Sequence, residues 1–105
     1  MTTLVEAQTD SVLRLEDRYS ETLVGRIAAG WRLTSPITVT VERDENGGFL
    51  ASEMVTTVYG YGQSGPAAIA DYILSLIEYY EIVQASRAPE SQALAAVLAR
   101  YLTTI

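Results

Sequence analysis

The densest set of potential ligands in the chain is Glu42-Arg43-Asp44-Glu45-Asn46-Gly47-Gly48-Phe49, written ERDENGGF. Counted from Glu42 through Asp44, Asn46 and Gly47 to Glu53, it nearly matches a calcium loop of the EF-hand type, which places oxygen ligands at set intervals around an obligatory glycine. Counted from its neighbours, it is a tight turn. A helix on each side must set the ligand angles of a calcium loop, whereas ITVTV before and FLAS after are patterned as strands. Glu42 also has a longer arm than the aspartate usual at the first ligand position. Asn46-Gly47 is a strong hairpin signal, because both residue types accept the positive φ angles of a type I′ turn. The segment therefore reads as a hairpin, with Asp44 and Glu45 beside its solvated tip.

Three other groups could do chemistry, and each has a folding explanation. Glu78 and Glu81 stand at i, i+3 and could share a hard metal ion, but solvated helix faces have the same spacing. Gly60-x-Gly62-x-x-Gly65 spells the bare dinucleotide motif, yet no strand–helix–strand unit can be built around it. Ser64 is better placed to cap a helix than to attack a substrate. The chain has no His and no Cys, and all seven of its bases are arginines. That removes the usual general base at neutral pH, the thiolate nucleophile and the Schiff-base amine. No enzyme, cofactor or metal site is expected.

The elements that must position these residues are legible in the middle of the chain. Ile37, Val39 and Val41 alternate with Thr38, Thr40 and Glu42, as in a half-buried strand. Phe49 to Val55 suits a second strand and Thr57 to Tyr61 a third, so residues 36–61 are expected to form a three-stranded antiparallel meander. Ser64 as N-cap and Pro66 in the first turn open a helix over about 66–84. Its Ile69, Ile73, Leu76, Ile77 and Tyr80 form one apolar stripe that covers the meander, with Asp71, Ser75 and Glu78 on the far side. A second helix is expected over 89–102, with its own stripe of Leu94, Val97, Leu98, Tyr101 and Leu102. That stripe needs either another part of the fold or a neighbouring subunit to cover it. Toward the amino terminus, residues 1–9 read as loose and 12–16 fit a possible extra strand. From Ser20 to Gly30, the spacing of Leu23, Ile27 and Trp31 suits a short helix, while Gly25 and the β-tolerant residues leave a strand open.

The expected whole is one α+β domain over residues 1–105. Thirteen acids oppose seven bases, and the arginines form no cluster, so direct binding to nucleic acid is not expected. An acidic excess favours a basic partner. A mean hydropathy of +0.14 favours a homo-oligomer built through the terminal helix 89–102. No segment has the length of a membrane span or the pattern of a signal peptide, so a soluble cytoplasmic protein is expected.

ITVTVERDENGGFLASE, followed by Gly62-Gln63-Ser64 and the helix AAIADYILSLIEYYEI, resembles the HicB-like antitoxin family over about residues 37–84. The chain departs from that family in two ways. SEMVTT lacks the proline often found between the second and third strands, and the residues after Pro89 are too few and too poor in bases for an appended DNA-binding unit. The resemblance implies a non-catalytic protein that binds a small basic HicA-type ribonuclease and covers its active site. On that reading, Asp44, Glu45 and Glu53 are candidate partner contacts, with Tyr59 and Tyr61 as aromatic anchors. The alternative is an orphan structural or regulatory oligomer of the same fold.

Overall fold

A computed structural model of the protein describes residues 18–105. The expectations for residues 1–9 and 12–16 lie outside them. The order of elements is β1 (Arg18–Leu23), β2 (Arg26–Ala28), β3 (Trp31–Leu33), β4 (Ile37–Arg43), β5 (Phe49–Ser52), β6 (Tyr59–Gly62), α1 (Gly65–Ala85), α2 (Pro89–Leu98) and β7 (Leu102–Thr104). The class is α+β. The strands form two antiparallel sheets instead of one meander: a four-stranded sheet ordered β1-β4-β5-β6 and a three-stranded sheet ordered β2-β3-β7.

The expected meander is β4-β5-β6, joined on its outer side by β1. Along β4 the alternation holds: Ile37, Val39 and Val41 are buried, and Thr38 and Glu42 are exposed. β5 stops at Ser52, short of Val55, and β6 begins at Tyr59. Between them Glu53 holds a loop, accepting from the backbone amides of Val55 and Thr56 and from the Thr56 hydroxyl.

The hairpin between β4 and β5 is present but is not type I′. Among the described residues only glycines have positive φ, so Asn46 does not take the angle that turn requires. Instead Gly47 N–H donates to Asp44 C=O at 3.0 Å and Asp44 N–H donates to Gly48 C=O at 2.7 Å. With Gly47 at φ +88°, this is a type I turn closed by a glycine bulge.

α1 starts as its sequence dictates. Ser64 Oγ accepts from Ala67 N–H at 3.2 Å, and a proline sits in the first turn where its missing amide loses nothing. The buried stripe is Ala68, Ile69, Tyr72, Leu76, Ile77, Tyr80 and Val83, with Ile73 only half-buried. Tyr72 takes the central place expected of Ile73, because α1 settles directly onto β6 at Gly60. A Cβ at Gly60 would collide with the Tyr72 amide nitrogen and the Ala68 carbonyl, and would lie 2.6 Å from the Tyr72 Cα. One at Gly62 would lie 2.6 Å from the Ala68 nitrogen. The dinucleotide-like spelling is thus used for close helix–strand approach. Beneath the helix, Val39, Val41 and Ala51 are wholly buried. Removing the larger apolar side chains of this core from water contributes about 1.5–3 kcal/mol each.

Of the two readings left open for residues 20–30, the strand holds and the helix does not form. Gly25 at φ +67° and Gly30 at φ +80° break the segment, and between them β2 turns back onto β3. The second helix ends at Leu98 instead of residue 102. The chain then turns, with Thr34 N–H donating to Tyr101 C=O at 2.8 Å, and Leu102 pairs opposite Leu33. The small sheet covers the later turns of α1, where Trp31 meets Tyr80 edge to face at 5.8 Å. Much of the terminal apolar stripe is therefore covered by the chain itself: Leu98 and Leu102 are buried, while Leu94 and Val97 remain exposed.

A candidate protein-binding face

The period-two rule of a strand sends alternate side chains to opposite faces, so the residues β4 does not bury must appear together on the other side of its sheet. The register aligns them in rows. Arg18, Glu42, Leu50 and Tyr61 form one row across the four strands, and Ser20, Thr40, Ser52 and Tyr59 the next. No helix among the described residues covers this face, since α1 lies on the opposite one with Val39, Val41 and Ala51.

Its chemistry is graded across the sheet. On β1 and β4 it is hydroxyl-rich, with Thr22 and Thr38 in hydrogen-bond contact at 3.1 Å. Arg18 and Glu42 pair at 3.7 Å, and both are exposed enough for water to weaken the interaction. On β5 and β6 it is apolar and aromatic, with Leu50, Tyr59 and Tyr61 all exposed. The Tyr61 ring reaches toward the hairpin and covers Gly48, where a Cβ would collide with its hydroxyl. At the far end Met54 is fully exposed and Val55 half so. There they border a hollow of about 290 Å³ whose wall includes Thr38, Thr40 and Tyr101.

Of the five sequence-derived contact residues, four fall on or beside this face. Tyr59 and Tyr61 stand on β6, two residues apart and on the same side. Asp44 and Glu45 sit in the hairpin at the end toward which Tyr61 points. Glu53 lies at the other end of β5, half-buried, with its oxygens engaged by its own loop. Leu50, Met54 and Val55 escaped the sequence reading. The alternation of β5 put Leu50 opposite Ala51, and that was the signal available for it.

No calcium loop exists here, because β4 and β5 flank the turn and Glu53, the would-be twelfth-position ligand, is held in a separate loop. Among the described residues no group of acids is arranged to hold a metal ion, and no helix is long and apolar enough to cross a membrane.

Behind the Glu53 loop lies the only strongly perturbed ionisable group among the described residues. The Tyr72 hydroxyl is buried without a hydrogen-bond partner among the described residues. Burial raises its pKa well above the ordinary tyrosine value, and the nearby Glu53 carboxylate raises it further by repelling the phenolate. Glu53 stands close to that oxygen without a hydrogen bond of good geometry. In the unfolded chain tyrosine titrates near 10, so stability linked to Tyr72 is complete below about pH 10 and falls as pH rises beyond it. The expected slope is about −1.4 kcal/mol per pH unit. Tyr72→Phe also removes an unpaired buried hydroxyl, so the variant should match or exceed the parent at neutral pH. In urea melts its advantage should widen by about 1.4 kcal/mol for each unit above pH 10. A gap that stays constant with pH would contradict this account.

Compared with known proteins, the chain matches no family model, no curated protein and no solved structure, so its own residues carry the functional reading.

Proposed function

We propose that the protein works by contact, as a non-catalytic cytoplasmic module that lays its open sheet face over a small basic ribonuclease and covers that enzyme's active site. The observation that carries this reading is one sheet face, left open by the helices among the described residues, on which Leu50, Tyr59 and Tyr61 stand exposed beside the acidic turn of Asp44 and Glu45. Tyrosines and apolar side chains at the centre with charge at the edge is the common anatomy of a protein interface. The net charge of −6 favours encounter with a basic partner. Resemblance of residues 37–84 to HicB-like antitoxins supplies the class of partner, a HicA-type toxin.

The test is genetic and then biochemical. A neighbouring reading frame should encode a small basic ribonuclease that co-purifies with this chain, and the ribonuclease should regain RNA cleavage when the chain is removed. If the pair separates on mixing, or cleavage is unaffected by an excess of this chain, the proposal fails. Exposed Leu94 and Val97 on α2 favour self-association as a companion property. Light scattering should show more than one chain per particle, and a monomer at all concentrations would remove that part of the proposal.

A further inference from the structure

The outer edge of β6 offers a second surface with its own chemistry. Tyr61 N–H turns away from β5 and donates to Asp71 Oδ2 on α1 at 2.9 Å. In an antiparallel ladder the N–H and C=O of one residue face the same side, and residues two apart behave alike. The N–H and C=O of Tyr59 and the C=O of Tyr61 therefore also face outward, while Gly60 and Gly62 face β5. Among the described residues no turn, cap or side-chain bond takes these groups. Asp71 closes one outward position of the edge and leaves the next one open.

Alongside that opening runs a groove of about 410 Å³, with Thr57 and Tyr59 on its strand side. Its other wall is one stripe of α1, which carries the carboxylates of Asp71 and Glu78 and, further along the helix, Tyr79 and Ile82. Ile82 is 66% exposed, an unusual amount for an isoleucine with a covering partner within its own chain. Among the described residues no arginine lines the groove. A free backbone edge, an apolar floor and carboxylates without bases together describe a receptor for an extended cationic segment.

We propose that β6 accepts a fifth strand from the partner protein, an extended segment in which Arg or Lys alternates with apolar residues. Its main chain pairs with Tyr59, and its alternate side chains rest on Tyr79 and Ile82 and reach Asp71 and Glu78. A second copy of this chain fits less well. Two β6 edges meeting about a two-fold axis would set the Asp71 and Glu78 stripes of both copies against each other. This inference rests on the protein-binding reading above and assigns that partner a second point of attachment.

The probe is a blocked octapeptide of alternating Arg and Val, titrated into the ¹⁵N-labelled protein. The Tyr59 amide should shift and exchange more slowly with solvent, and the matching Glu–Val peptide should bind at least about tenfold more weakly. Strand addition uses only every second peptide amide. N-methylation of one alternate set should abolish the Tyr59 response, and methylation of the other should leave the affinity within about twofold. Ser75→Arg, which places a base in the groove from a half-buried helix position, should weaken the Arg–Val peptide at least about tenfold while the amide spectrum of the folded protein is retained.

Equal loss from both methylated sets, shifts confined to Leu50 and Tyr61, or no binding by about 1 mM peptide would each overturn the proposal. So would a dimer of the free protein that Ser75→Arg dissolves, because it would assign the edge to a second copy. If a basic ribonuclease binds Ser75→Arg as tightly as the parent, the edge proposal fails and the open-face reading stands. If the peptide adds to β6 but no basic ribonuclease is bound, the outcome is the reverse.

Discussion

Gly60→Ala is expected to lower the thermal midpoint by more than 10 °C, on the basis of about 4–8 °C per kcal/mol for a domain of this size. The added methyl would meet the Tyr72 amide nitrogen and the Ala68 carbonyl, and both belong to the backbone of α1. A flexible side chain could swing aside, but a helix backbone cannot. The whole of α1 must lift from β6, loosening Tyr72 and Leu76 above Val39 and Val41. Overpacking costs about 1–3 kcal/mol even where side chains can yield, so about 3 kcal/mol or more is expected here. Against a typical total of about 5–15 kcal/mol, that is a large fraction. Gly62→Ala should cost less, because its methyl would lie 2.6 Å from the nearest atom of α1, a milder overlap than the one at Gly60. Differential scanning calorimetry of both variants checks the order. A drop of less than about 3 °C for Gly60→Ala would show that helix and strand are less closely seated than described.

The second large effect concerns partner affinity. Tyr59 is 61% exposed and supports no core residue, so Tyr59→Ala should leave the melting temperature within about 2 °C of the parent. Binding to the basic ribonuclease should nevertheless weaken by about 30-fold or more, equivalent to the roughly 2 kcal/mol of an aromatic hot spot. Tyr61→Ala would be a poorer instrument, since it also uncovers Gly48. Asp44→Lys with Glu45→Lys should act differently, slowing association and flattening its salt dependence while leaving dissociation nearly unchanged. Surface plasmon resonance separates these effects. Unchanged affinity for Tyr59→Ala would remove the open face from the partner's footprint.

The parts of this fold that could be read from residues alone are those whose pattern is local. β4 declares itself by alternation, the turn at Asn46-Gly47 by residue type, and α1 by Ser64, Pro66 and an apolar stripe. What stayed hidden depends on distant partners. Leu23, Ile27 and Trp31 repeat every fourth position, which a helix would explain. The actual cause is three short strand pieces separated by the left-handed glycines 25 and 30. Leu102 continues the spacing of α2, yet it serves as a strand residue because Leu33 waits opposite. Tyr72 was missed for a related reason. It lies on the i+3, i+4 series of Ile69, Leu76, Tyr80 and Val83, but its central place in that stripe is set by the gap at Gly60 on another element.

The same division held for the candidate site. Tyr59, Tyr61, Asp44 and Glu45 were legible as residue types at a hairpin and on a strand. Only the register showed that they share a face with Leu50. Glu53 looked like one more surface acid. In the structure its oxygens are occupied by the Val55 and Thr56 amides.

The pairing of β3 with β7 also has a consequence for how the chain acquires its shape during synthesis. The β4-β5-β6 hairpins and α1 join near neighbours and can fold as soon as they leave the ribosome, whereas β3 must wait until residues 102–104 have been made. Until then Trp31 and Leu33 lack the strand that closes their sheet. This makes the short β7 segment the last piece to settle, and the small sheet the last part of the nascent chain to close.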